Sequence, residues 1–450
     1  MQTLKPRDIL ALGVGTIIGV GWIVAVSGWI LRSGPAGAAI AFMLGALVVS
    51  LVSRCYGEAA ERFPERGGEL RVALAMFGPA TAFATGCALL AAYLTAIVFE
   101  VAALGWILGE IGAGVGLGPR IVIGVVGLLQ MLAIAGNAWV NARGAAASSG
   151  AQNVLTLVKI VGIGLIVIAG ILSGHRAHLA PPFAAQPGES LVAATAAVAI
   201  STPFWFAGFN VIAQATPDRA ATTTLRQVAN TITGSVLICG LLYTAIIFAV
   251  GALVPRAQLQ SLPFPAADAV AIATGQAALK WIVLLIGGIG ILAAWNGMTF
   301  AVVRIFQGLA ASDLPPGLQR ETDPAALSRR GLAAAIIAAL AGIVVGRPAM
   351  EPAIAASAIC MSAVFAVVCF AILRLRLRSR PALLWPSLLV PAGGSLLSLA
   401  LIVTAAILPA VQAHSVPTEW WLLGPAALVV VIVWRRAIVR HRAAGSNCDA

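Results

Sequence analysis

Long apolar runs, separated by short polar or Gly/Pro-rich stretches, repeat along almost the whole chain. Twelve can be marked, at 10–31, 36–55, 80–108, 120–137, 152–172, 191–213, 228–253, 278–308, 331–346, 353–373, 383–408 and 420–439. A hydrocarbon core about 30 Å thick needs about 20 apolar residues to be crossed by a helix, so each run reads as a transmembrane helix. The third and eighth are long enough to tilt strongly or to project from the bilayer. No cleavable leader is expected ahead of the first run, which is expected to act as the first anchor.

Two of these runs are poorly written as helices. "LGVGTIIGVGWIV", Leu12 to Val24, holds Gly13, Gly15, Gly19 and Gly21. Each Gly costs a helix interior roughly 1 kcal/mol relative to Ala. Backbone groups freed in hydrocarbon must be satisfied by something else. The sixth run, "STPFWFAGFNVIAQATPDR", Ser201 to Arg219, is interrupted by Pro203 and Gly208 around an aromatic cluster. Breaks five helices apart predict a five-helix unit duplicated in inverted orientation, with discontinuous helices framing a midplane site.

Charge fixes the expected topology. The chain of 450 residues is 60% hydrophobic, 10% charged and carries a net charge of +12. With the N-terminus inside, 21 Lys and Arg residues fall in inner segments and six in outer ones, leaving Lys159 within a helix. The positive-inside rule then places both termini in the cytoplasm and makes the helix number even. The basic excess is therefore topology and does not point to nucleic acid. Six scattered cysteines without a CxxC and four histidines near loops or the tail give neither a disulfide framework nor a metal site. The loop "YGEAAERFPERGGELRVA", Tyr56 to Ala73, reads as a solvated interfacial segment.

Several of these elements resemble the amino acid–polyamine–organocation permeases. "GVGTIIGVGW" looks like the first-helix signature of that family, and "FWFAGFN" resembles its unwound sixth-helix element. "NVLTLVKIVGIGLIVI" is similar to its fifth helix, "AVVRIFQGLAASDLPPG" to the end of its eighth, and "FPERGGEL" to its entry into the third. The resemblance spans about residues 5–380. It implies an all-α polytopic membrane protein with a 5+5 inverted-repeat core of the LeuT type plus two peripheral helices. The first repeat would cover 1–175, the second 176–380, and helices 11 and 12 with a cytoplasmic tail 381–450.

The same resemblance implies where substrate sits. A carboxylate would meet the first-helix break at Thr16, Ile18, Gly19, Val20 and Gly21, where half-helix N–H groups attract an anion. Packing through the Gly15–Gly19 GxxxG is the alternative. An amino group would meet the sixth-helix backbone around Phe204, Trp205, Ala207, Gly208 and Asn210, with Phe204 as an aromatic gate or simply a packing residue. Asn210 departs from the family, where an acid is common, so a proton carrier is missing at that position. Lys159 lies roughly 13 Å into the fifth helix. A charge there is a functional candidate by default, although it could instead snorkel to the interface. In the resembling family a Lys at this place faces the first-helix break, where sodium-coupled relatives hold an ion. Glu100 would face the cavity, or serve as a protonated structural group, and is not expected to pair directly with Lys159. Asn296 and Thr299 line the cavity or join helices.

The expectation is a secondary transporter of an amino acid or related amine in the plasma membrane, using H+ rather than Na+, with no cofactor. A permease for a carboxylate-free amine, an uncoupled exchanger and a non-transporting sensor are the alternatives. No constellation of catalytic groups stands in the apolar runs, so an enzyme is not expected.

Overall fold

The computed structural model describes residues 3–315, 323–379, 386–403 and 430–436. Within them the regular elements are helices. In chain order they are α1 (Pro6–Ile17), α2 (Gly21–Val24), α3 (Val26–Arg62), α4 (Glu69–Phe77), α5 (Pro79–Gly114), α6 (Pro119–Ala142), α7 (Ala145–Ser173) and α8 (Leu191–Trp205). They continue with α9 (Val211–Ala215), α10 (Leu225–Leu253), α11 (Arg256–Leu259), α12 (Pro265–Thr274), α13 (Ala277–Ala311), α14 (Pro324–Val345), α15 (Met350–Ser379) and α16 (Pro386–Ile402). Among the described residues nine stretches are long and apolar enough to cross a membrane, which makes this a multi-pass membrane protein. The run expected at 420–439 lies largely outside the described residues, and that at 383–408 is described from 386 to 403.

The distribution of polarity is what a lipid solvent requires. Large apolar side chains of α6 and α7, among them Ile123, Leu132, Val161 and Leu172, point outward. The polar residues of α7 are turned inward instead. Ser148, Gln152, Thr156 and Lys159 are spaced by four, four and three residues and share its buried face. A helix that hides its polar stripe and exposes its apolar one is stable only where hydrocarbon surrounds it.

Two local devices shape the half of the molecule that matters for the site. The first and second runs join inside α3 at Gly34, whose φ of 78° and ψ of 164° no L-residue adopts readily, and Pro35 restarts the helix. The segment after α7 crosses this break: Ala36 N–H donates to Pro182 O at 2.9 Å and Ala184 N–H to Ser33 O at 2.9 Å. A bidentate ion pair of Arg32 with Glu189 pins the same segment, and that hydrogen-bonded pairing holds the Glu189 carboxyl below its usual range.

The second device departs from the sequence expectation. Residues after Tyr56 read as a solvated loop, yet Gly67–Gly68 turn the chain inward and Glu69, Leu70, Val72 and Ala73 are buried. Close approach makes this possible. A Cβ at Gly308 of α13 would stand 2.5 Å from Gly67 Cα, so only two glycines allow the loop to lie on that helix. The charged half of the loop, Glu61 to Arg66, is largely solvent-facing.

Candidate functional site at two broken helices

The first apolar run breaks where its glycines cluster. α1 ends at Ile17, Ile18 takes an extended conformation (φ −90°, ψ 90°), and α2 restarts at Gly21. Among the described residues no backbone carbonyl accepts from the N–H groups of Gly19 and Val20. The freed carbonyls have a definite partner. Lys159 Nζ donates to Gly15 O at 2.8 Å and to Ile18 O at 2.5 Å, with the side chain wholly buried. An ammonium at the C-terminal end of a half-helix meets both its unpaired carbonyls and the negative end of its dipole. Small residues admit it, since Gly290 of α13 leaves room for the Lys159 stem.

The sixth run breaks in the same layer. α8 ends at Trp205, residues 206–210 form turns, and α9 begins at Val211. Gly208 has a φ of 120°, and a Cβ there would stand 2.9 Å from the carbonyl carbon of Thr16 and 3.0 Å from Ile17 N. The two breaks therefore touch backbone to backbone at a position only glycine can fill. Trp205 closes the contact from the other side, its ring lying where a Cβ on Gly21 would be.

Between the breaks lies a small cavity of about 70 Å³. Of the residues expected to bind substrate, Thr16, Gly19, Val20, Gly21, Phe204, Trp205, Ala207 and Gly208 line it, together with Glu100. Glu100 sits against the break itself, since a Cβ on Gly19 would be 2.5 Å from its Oε1. Its Oε2 is buried without a hydrogen-bond partner among the described residues. It forms no ion pair with Lys159, whose ammonium is taken by the two carbonyls. Phe204 is half-buried and packs edge-on to Trp205, with ring centroids 4.9 Å apart.

The remaining residues lie elsewhere. Ile18 is buried and offers its carbonyl to Lys159 instead of the cavity. Asn296 is spent on Asn141, Ser148 and Gln152, joining α13 to α6 and α7. Thr299 is buried beside them in chain order and its hydroxyl has no partner. Asn210 is not among the lining residues and sits behind the wall: its amide donates to Tyr93 Oη at 2.6 Å and to Glu69 Oε1 at 3.2 Å.

Sequence reasoning passed over several wall residues. Tyr93, Phe99, Tyr243, Met298, Ile354 and Met361 complete the lining and make it mainly apolar. Nothing distinguishes them from ordinary packing residues in their runs. Glu69 was also passed over. It is 1% exposed and accepts from Asn210 and Gln214. Burial pushes its carboxyl up to about 7, against hydrogen bonding from its own backbone N–H, Asn210, Gln214 and the Tyr56 hydroxyl that favours the charged form. Its position directly after a double glycine was the available signal.

Polar contacts also join several elements on the face where the chain begins. Thr3 and Leu4 N–H groups donate to Asp218 O at 2.8 and 3.0 Å. Arg304 Nε pairs with Asp218 Oδ2 at 2.6 Å and its Nη1 reaches Gln307 at 2.9 Å. Gln307 in turn reaches Ser328 on α14 at 2.8 Å.

The family model described as "Amino acid permease" matches residues 4–434. The methylthioribose transporter of Bacillus subtilis (strain 168) is 26% identical over 347 residues, 72% of this chain and 70% of that protein. The branched-chain amino acid permease BcaP of Lactococcus lactis subsp. cremoris (strain MG1363) is 26% identical over 328 residues, 70% of each chain. The aspartate-proton symporter of Bacillus subtilis (strain 168) is 30% identical over 103 residues, covering 23% of this chain and 20% of that protein.

Proposed function

We propose that this chain, which belongs to the amino acid permease family, is a proton-coupled secondary transporter of neutral amino acids with apolar side chains. Its relatives in that family are transporters and not enzymes. The observation that carries the reading is the meeting of two helix breaks at one cavity, with a buried ammonium capping the first. A substrate carboxylate is held by the N–H groups of Gly19 and Val20, and a substrate amine by carbonyls of the sixth-helix break. The apolar walls, with no Lys or Arg among them, select against an acidic side chain. The named relatives include transporters of branched-chain amino acids and of methylthioribose.

Coupling to protons follows from what occupies the first break. The Gly15 and Ile18 carbonyls, which a sodium ion would need, are already taken by Lys159. Loss of the Lys159 proton frees those carbonyls and lets α1 move against α7, which is a stated means of joining proton transfer to alternating access. Residues 1–175 and 176–380 act as the inverted halves, with 381–450 peripheral and both termini cytoplasmic in a plasma membrane.

One observation favours a second reading. The Glu100 carboxyl lies beside Gly19, where it competes with a substrate carboxylate for the same N–H groups and suits a carboxylate-free amine. Competition separates the two. In liposomes containing the purified protein, leucine should block uptake of labelled leucine and 3-methylbutylamine should not. Block by the amine with none by leucine analogues supports the amine reading. Leucine binding without flux would leave a sensor.

A further inference from the structure

Below the cavity, towards the face where the chain begins, Glu69 stands at the first turn of α4 with no ion-pair partner among the described residues. It is enclosed from every side. Asn210 and Gln214, on either side of the start of α9, each aim an amide NH2 at it. Tyr93 of α5 shares the Asn210 amide, and the Tyr56 hydroxyl of α3 lies close enough to the carboxyl to favour its charged form. Behind these are Val368 and Cys369 of α15, the latter beyond Tyr56. No cation compensates the carboxylate, and both titratable neighbours are phenols.

The hydrogen-bond inventory of this cluster is unbalanced in an informative way. The ionised carboxylate accepts from two amides, but the amide oxygens themselves, Asn210 Oδ1 and Gln214 Oε1, are buried with no donor to them among the described residues. A buried acceptor left unmade costs about 1–3 kcal/mol. Adding one proton to Glu69 supplies a donor. Its O–H can serve Gln214 Oε1 or Asn210 Oδ1 once that amide turns over, and an amide turned in this way no longer donates to the carboxyl. The cluster thus has two hydrogen-bonding arrangements that differ by one proton.

We propose that Glu69 binds and releases a proton during transport, and that its ionised form latches α9, the second half of the broken sixth helix, to the α4 loop. This rests on the transporter reading above. Protonation exchanges charged hydrogen bonds, which are about twice as strong, for neutral ones. The latch therefore weakens when the proton is present. α9 is five residues long and ends at Ala215, three residues before Asp218 of the Asp218–Arg304 ion pair, so slack in α9 reaches the contacts that seal this face. A carboxyl pushed up to about 7 is poised to do this near neutral pH.

Two measurements test the proposal, using the intact protein and Glu69→Gln. Gln keeps the size of the acid and offers both a donor and an acceptor, so it mimics the protonated form. The first measurement is the infrared difference spectrum between about pH 5.5 and pH 8.5, bracketing the titration. The carbonyl stretch of a protonated carboxylic acid should appear on the acid side and be missing in Glu69→Gln. The second is leucine transport in liposomes. Exchange of labelled for unlabelled leucine in the variant should stay within about twofold of wild type, while the rise of net uptake towards acid pH should flatten from about tenfold to less than about twofold, as expected when one titrating group is removed. An unchanged infrared spectrum, or a variant pH profile that superimposes on wild type, overturns the proposal. So does loss of exchange together with net uptake in a folded variant, which marks Glu69 as a structural group only. If wild type carries no leucine while the infrared band still titrates, the transport reading fails and the proton site stands.

Discussion

At the scale of single residues the account turns on Lys159. Its ammonium replaces a missing turn of helix by bonding two carbonyls that the first-helix break leaves open. Lys159→Ala leaves both buried carbonyls without donors, at about 1–3 kcal/mol each. The variant should unfold at lower temperature in detergent and lose acceleration of leucine uptake by an imposed pH gradient, falling at least about tenfold towards its ungraded rate. A variant of wild-type stability and wild-type gradient dependence would remove Lys159 from the mechanism. This residue was legible in the sequence because a lone charge in an apolar run has few explanations. Glu69 was not, because a Glu among Arg and Glu residues in a loop reads as solvated until close packing of Gly67 on Gly308 shows the chain turning inward. Asn210 shows the same limit from the other side. The sequence marked it as a missing acid, but only the fold could bring an acid to it from another element.

At the scale of elements, function depends on two helices being discontinuous at the same depth and in contact. Gly208 makes that contact, with a φ of 120° and no space for a side chain against Thr16 and Ile17. Gly208→Ala adds both left-handed strain and a clash, each of order 1–3 kcal/mol. It should separate the breaks, weakening leucine binding by about tenfold or more in equilibrium dialysis while the far-ultraviolet helical signal persists. Undiminished affinity would mean that the two breaks do not form one site. The breaks themselves were readable from glycine and proline placement. The cavity walls were not, since Tyr93, Met298 and Ile354 become neighbours only when α5, α13 and α15 pack around the breaks. Asn296 illustrates the converse: a polar residue in an apolar helix can be consumed in tying helices together, here α13 to α6 and α7.

At the scale of the whole molecule, a transporter needs a seal that can be undone. On the face where the chain begins, residues 3–4, Asp218, Arg304, Gln307 and Ser328 form one connected set of hydrogen bonds. Arg304 is its hub, so Arg304→Ala should raise deuterium uptake in peptides covering residues 1–10 and 214–222 by about tenfold, with little change in α10. Equal protection in both proteins would show that the seal lies elsewhere. The family, the broken helices and the polytopic architecture followed from patterns that any lipid-embedded helix must obey. Which surfaces close, and which polar groups face one another, depends on packing that no single run contains.

The central claim is that an apolar amino acid and a proton move together. It is tested most directly by trapping a pH-sensitive dye inside liposomes that contain the purified protein and adding leucine outside, with no pH or sodium gradient imposed. The account predicts that leucine entry acidifies the interior, that sodium leaves the response unchanged, and that Lys159→Ala abolishes it. Leucine entry without any change in internal pH would contradict proton coupling and leave an exchanger or a uniporter in its place.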